Sequence, residues 1–211
     1  MPRTARTLGR GCGVGIRAFA LISWLAIAQS ATGATIWSET VNGEFSSNRL
    51  VPTNLGVLAV GTNTILGSTT SGDLDYFTFT VPAGASFNQM NLTAYGAANN
   101  SFIGIQSGSV FTEAPSTVNP ANLRGYAHFG SAQVGTDVLD DLATSNLLVP
   151  PAQGFSVPLA AGSYVFWVQQ LNPTPSSYTW DVVVVPEPSV ALLLGAGLAA
   201  LAYARRRAAR A

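Results

Sequence analysis

An antiparallel β-sandwich or jelly roll, all β, is the fold class that the middle of this sequence predicts, on three observations. Residues 75–81, DYFTFTV, alternate Tyr76, Thr78 and Thr80 with Phe77, Phe79 and Val81, the two-residue period of a strand. Residues 163–171, SYVFWVQQL, and 178–185, YTWDVVVV, are dense in β-branched and aromatic side chains. Between such runs stand Pro-Ala-Gly, Ala-Ala-Gly-Ser and Asn-Pro-Thr-Pro, which are turn chemistry. Helical periodicity is thin. Its best instance is residues 137–148, where Val138, Leu142 and Leu139 recur at helix spacing, and a short helix or a loop both fit.

The chain divides by charge. All 10 basic residues are Arg, and only Arg49 and Arg124 fall between residues 35 and 188, which hold all 10 acids and so carry a formal charge of −8. An acidic body without a single Lys excludes nucleic acid as a partner, because phosphates call for clustered cations.

Residues 1–34 open with Arg3, Arg6, Arg10 and Arg17, continue with an apolar run over 18–28 and end in small residues. That order is a secretory signal peptide, with cleavage expected after Gly33 or Ala34. The single cysteine, Cys12, lies inside it, so no disulfide framework is possible.

Residues 35–185 are one domain's worth of chain. Its expected core is Trp37, Phe77, Phe79, Leu92, Phe102, Ile105, Phe166, Val168, Trp180 and Val182. In the alternation of residues 75–81, the Phe and Val stripe is expected to face inward and the hydroxyl stripe outward.

Residues 186–211 begin with Pro186, Glu187 and Pro188, run uncharged from 189 to 204, and end in Arg205, Arg206 and Arg207. The prolines disfavour helix, so an extended segment is expected ahead of the apolar run. As a single membrane helix the uncharged residues reach ~24 Å, short of a ~30 Å hydrocarbon core, with snorkelling arginines making up the difference on the cytoplasmic side.

This tripartite tail resembles the PEP-CTERM sorting signal of Gram-negative bacteria. The resemblance implies that Pro186, Glu187 and Pro188 are read by an exosortase, a multi-pass membrane transpeptidase. It implies a chain that meets signal peptidase, is anchored transiently in the inner membrane, and then passes to the cell envelope or extracellular matrix. Residues 72–84, GDLDYFTFTVPAG, and 157–169, VPLAAGSYVFWVQ, resemble the pre-peptidase C-terminal β-sandwich modules of secreted bacterial proteins. Some of those modules bind calcium, which puts Asp73 and Asp75 forward as metal ligands. A hard cation wants six to eight oxygens, so Asp137, Asp140, Asp141 or backbone carbonyls would have to join them. The plainer reading of this Asp-x-Asp is a strand-entry turn that needs no cofactor.

Catalytic chemistry has little to stand on. The only imidazole is His128, the Gly-x-Ser-x-Gly elbow is missing, and zinc would want several His or Cys ligands. Glu44, Glu113 and several Asp remain as generic carboxylates that sequence cannot bring face to face. The expectation is therefore an exported protein that is not an enzyme and that binds glycans or exopolysaccharide. A secreted hydrolase with the same tail and a calcium-stabilised adhesion module are the alternatives.

Overall fold

A computed structural model describes residues 33–96, 99–187 and 190–209. Residues 1–32 of the expected signal peptide, with Cys12, and Pro188 of the tail motif lie outside the described residues, while Ala34 already belongs to the first strand. The chain forms β1 (Ala34–Ser38), α1 (Glu39–Asn42), β2 (Thr53–Val57), β3 (Gly61–Thr69), β4 (Leu74–Val81), β5 (Ala85–Tyr95), β6 (Ser101–Ser107), β7 (Gly125–Phe129), α2 (Val138–Ala143), β8 (Gly162–Gln169), β9 (Ser176–Pro186) and α3 (Val190–Ala208). Two sheets stack, one in the order β1-β3-β9-β5 and the other in the order β2-β4-β8-β6-β7. The all-β sandwich is as expected.

The pairing is antiparallel except at two edges, where β1 runs parallel to β3 and β2 parallel to β4. Both sheets turn alternate residues inward. Ile65 of β3, Phe77 and Phe79 of β4, Leu92 of β5, Phe166 and Val168 of β8, and Trp180 and Val182 of β9 meet in one buried core. Phe77 and Phe79 stack on Phe166 at 5.2 and 5.1 Å, and Phe129 of β7 meets Trp180 edge to face at 4.7 Å. Such aromatic pairs add about 0.5–1.5 kcal/mol each beyond the area they bury. Of the expected core, Trp37 and Phe102 are only half-buried.

The outward hydroxyl stripe of β4 is corrected. Tyr76 and Thr78 are both buried. The segment between β6 and β7 folds back over the outer face of the second sheet, and its Phe111 and Leu123 close over Tyr76 and Trp167. Thr78 satisfies its hydroxyl on the Tyr164 carbonyl at 2.9 Å. A strand covered on both faces loses the inside-outside meaning of its alternation.

The short helix of residues 137–148 is real, as α2, with Val138, Leu139 and Leu142 all buried. Asp137 caps it, accepting from the Leu139 amide at 3.0 Å and also from the Met90 amide of β5 at 2.9 Å.

The extended segment expected ahead of the apolar run is the end of β9: the sheet runs through Pro186, which pairs with Ala85, and the Glu187 amide donates to the Gly84 carbonyl at 2.9 Å. The helix bounds are corrected. The helix expected over 189–204 extends over Val190–Ala208 and takes Arg205, Arg206 and Arg207 into its last turn. Among the described residues no helix is long and apolar enough to cross a membrane. The uncharged part of α3 is too short for a ~30 Å core, and the arginines that lengthen the helix are charges.

Candidate functional site

Three places in the chain bring chemistry-bearing residues together. The first is the tail. Pro186 and Glu187 stand exposed at the end of β9, the strand bonded on both sides within the first sheet. From Leu193 onward the side chains of α3 are exposed, leucines included.

The second is an open cleft of about 470 Å³ at one end of the second sheet. Antiparallel register sets Phe102 of β6 between His128 of β7 and Gln169 of β8. The rim is completed by Asn99, Asn100 and the β8–β9 turn with Gln170, Leu171 and Asn172. Phe102 meets the His128 ring edge to face at 5.8 Å. Gln170 is buried and holds the turn in shape, its amide donating to the Thr174 carbonyl and to the Ser176 hydroxyl. Among the described residues no Asp, Glu, Lys or Arg lines this cleft. Sequence reasoning saw His128 only as an unlikely base. The amides around it come from two stretches of chain some seventy residues apart, Asn99–Asn100 and Gln169–Asn172, and no local signal joins them.

The third is an acidic pocket on the inner face of β4, where Asp75 pairs with Val168, the residue before Gln169 of the cleft. Glu39 opens α1, Glu44 follows it, and Asp75 lies on β4. One carboxylate oxygen from each falls within 4.8 Å of the others. Asp75 is 0 % exposed and belongs to the inward face of β4 with Phe77 and Phe79. Its Oδ2 accepts from the Tyr178 hydroxyl at 2.6 Å, while Oδ1 is buried without a hydrogen-bond partner. Glu39 is better supplied, accepting on Oε2 from the Ser68 amide at 2.6 Å and the Ser68 hydroxyl at 3.1 Å, and on Oε1 from the Phe45 amide at 3.3 Å.

Burial pushes the Asp75 carboxyl up to about 9 against the pull of the Tyr178 hydrogen bond, with the Glu39, Asp73 and Glu44 charges adding to the rise. Burial also lifts Glu39 to about 7, helped by the facing Glu44 carboxyl. Tyr178 is held well above the ordinary phenol range by its own burial and by Asp75.

Of the two sequence-expected metal ligands, Asp75 enters this group and Asp73 does not. Asp73 sits half-buried in the turn before β4. Burial raises its carboxyl, the Glu44 charge adds to the rise, and hydrogen bonds from the Thr70 and Leu74 backbone oppose it. Asp137, Asp140 and Asp141 are on or beside α2, which packs on β5 and β7. The partners that the fold supplies to Asp75 are Glu39 and Glu44, which the sequence did not single out.

Comparison with known proteins bears on the tail. The family model of the PEP-CTERM protein-sorting motif matches residues 184–207. The chain carries that sorting signal, which marks an exported protein, held transiently at the membrane and sorted by an exosortase. The resemblance of the body to pre-peptidase modules is not shown. No curated protein matches the chain. Among solved structures, the chain is similar to the periplasmic g-type lysozyme inhibitor PliG of Aeromonas hydrophila at 14 % identity, covering 63 % of this chain and 96 % of that one with a TM-score of 0.32.

Proposed function

We propose that the sandwich is a non-catalytic module of the cell envelope or extracellular matrix that binds neutral polysaccharide in the amide-lined cleft, delivered there by the sorting tail. The composition of that cleft carries the reading. Side-chain amides offer a donor and an acceptor side by side, the pairing that vicinal sugar hydroxyls return. Phe102 and His128 supply an apolar ring surface for the C–H face of a pyranose, and a few convergent polar groups around such a surface are the usual make-up of a small-ligand site. No carboxylate, Lys or Arg is among the described residues that line it, which favours a neutral glycan over a uronic acid polymer.

In this reading signal peptidase removes the leader, the tail holds the chain transiently at the inner membrane, and an exosortase reads Pro186, Glu187 and Pro188. Release leaves the cleft facing the matrix.

The hydrolase alternative has one observation to answer, the close carboxylates of Glu39 and Asp75. Retaining glycosidases place two carboxyls roughly 5 Å apart across the scissile bond. Asp75, however, is completely buried in the sandwich, and a sugar cannot reach it. That supports a non-catalytic reading.

The test is binding of the host's purified neutral exopolysaccharide, followed by calorimetry or by line broadening of the imidazole and side-chain amide signals. Gln169→Ala and Asn172→Ala, both at the rim, are each expected to weaken binding about tenfold, in line with ~1–1.5 kcal/mol per lost hydrogen bond. Absence of binding by the native chain, or native-level binding by both variants, would sink the proposal.

A further inference from the structure

From the geometry of the acidic pocket we infer that Glu39, Glu44 and Asp75 form a binding site for a hard divalent cation of the calcium class, which ties the β1–α1 edge to both sheets of the sandwich. Three oxygens within 4.8 Å of one another fit around one such ion, whose ligands at ~2.3–2.6 Å stand up to roughly 5 Å apart across it. All three donors are carboxylate oxygens, the ligands that calcium prefers and that softer metals do not.

The second observation is independent of the clustering. Asp75 Oδ1 is wholly buried and has no hydrogen-bond partner, although the other oxygen of the same carboxylate is held by Tyr178. A buried, unpartnered carboxylate oxygen is costly, and native structures keep one only where something pairs with it.

Among the described residues of the sandwich no protein cation is placed to serve. Of the two arginines between residues 33 and 187, Arg49 donates to the carbonyls of Phe111 and Thr112. Arg124 donates to the Ser107 hydroxyl and lies over the rings of Phe155 and Tyr164. The exposed Glu44 leaves one side of the group open, which gives an ion its way in and water its share of the coordination sphere.

The consequence is structural. Glu39 and Glu44 belong to the edge segment that follows β1, Asp75 belongs to β4 of the second sheet, and Tyr178, which orients Asp75, belongs to β9 of the first. One ion therefore bridges elements that hydrogen bonding between strands leaves in separate sheets.

Thermal unfolding of the purified full-length chain, with chelator and then with millimolar Ca2+ or Mg2+, tests this. Calcium is expected to raise the melting temperature by on the order of 5 °C, as ligation of the folded state alone requires. Glu44→Gln changes an exposed side chain and Asp75→Asn keeps an acceptor for Tyr178, so both variants are expected to fold and to lose most of that shift. The inference is overturned if calcium and chelator give the native chain the same curve, whatever its response to pH. It is equally overturned if either variant keeps the full calcium shift, since the ion would then sit elsewhere.

Discussion

Gly67 shows how tightly the acidic pocket is built. A Cβ there would run into the Tyr178 hydroxyl and ring and would lie 2.9 Å from the Phe45 ring, so β3 can pass only without a side chain at this point. Gly67→Ala is expected to push Tyr178 off Asp75 and to cost about 1–3 kcal/mol of stability, measured by urea unfolding. The pH response of the same residues has a definite sign. Asp75 and Glu39 hold their protons up to about 9 and about 7 when folded, above the ordinary carboxylate range of the unfolded chain. Between those limits the folded chain binds more protons, so this contribution to stability is complete in acid and is lost as pH rises through about 7 and then about 9. With chelator present, the melting temperature is expected to fall across that window, and a rise would contradict the burial of these groups. Sequence could name Asp75, because it sits beside Asp73 at the head of an alternating strand. Glu44 stood only as a generic carboxylate and Glu39 was not named, because both lie more than thirty residues away and reach Asp75 only through the placement of β1.

At the level of elements, β4, β8 and β9 were legible, since each carries its pattern in consecutive residues. The parallel edges were not. β1 and β2 are five residues each, and which neighbour a short strand takes depends on the connections between sheets. The stretch between β6 and β7 also reads as polar loop, yet its Phe111 is fully buried against Tyr76 and Trp167. Phe111→Ala is therefore expected to destabilise the sandwich by about 3–5 kcal/mol, as a core aromatic does and a loop residue does not. A loss below 1 kcal/mol in chemical denaturation would show that the flap is not part of the fold.

For the whole molecule, the sorting motif abuts the sandwich directly. Every strand ends at or before Pro186, so cleavage just beyond Glu187 removes α3 and no strand. The form recovered outside the cell is expected to end near residues 186–189 by intact mass, and to melt at the same temperature as the uncleaved chain. Retention of residues 190–208 on the extracellular form would contradict release at this motif.

What the sequence determined by itself is whatever depends on order along the chain: the tail of Pro-Glu-Pro, apolar run and arginines, the β period of the central strands, and the acidic charge of the body. A sorting enzyme and a strand both read consecutive residues, so these properties survive without a fold. The tertiary structure alone decided the rest. It buried Tyr76 under a flap, sealed Asp75 against Tyr178, gathered two distant glutamates beside it, and set amides from β8, the β5–β6 connection and the β8–β9 turn around Phe102 and His128. Burial and proximity are properties of pairs of residues far apart in sequence, and only the closing of two sheets on one core creates them.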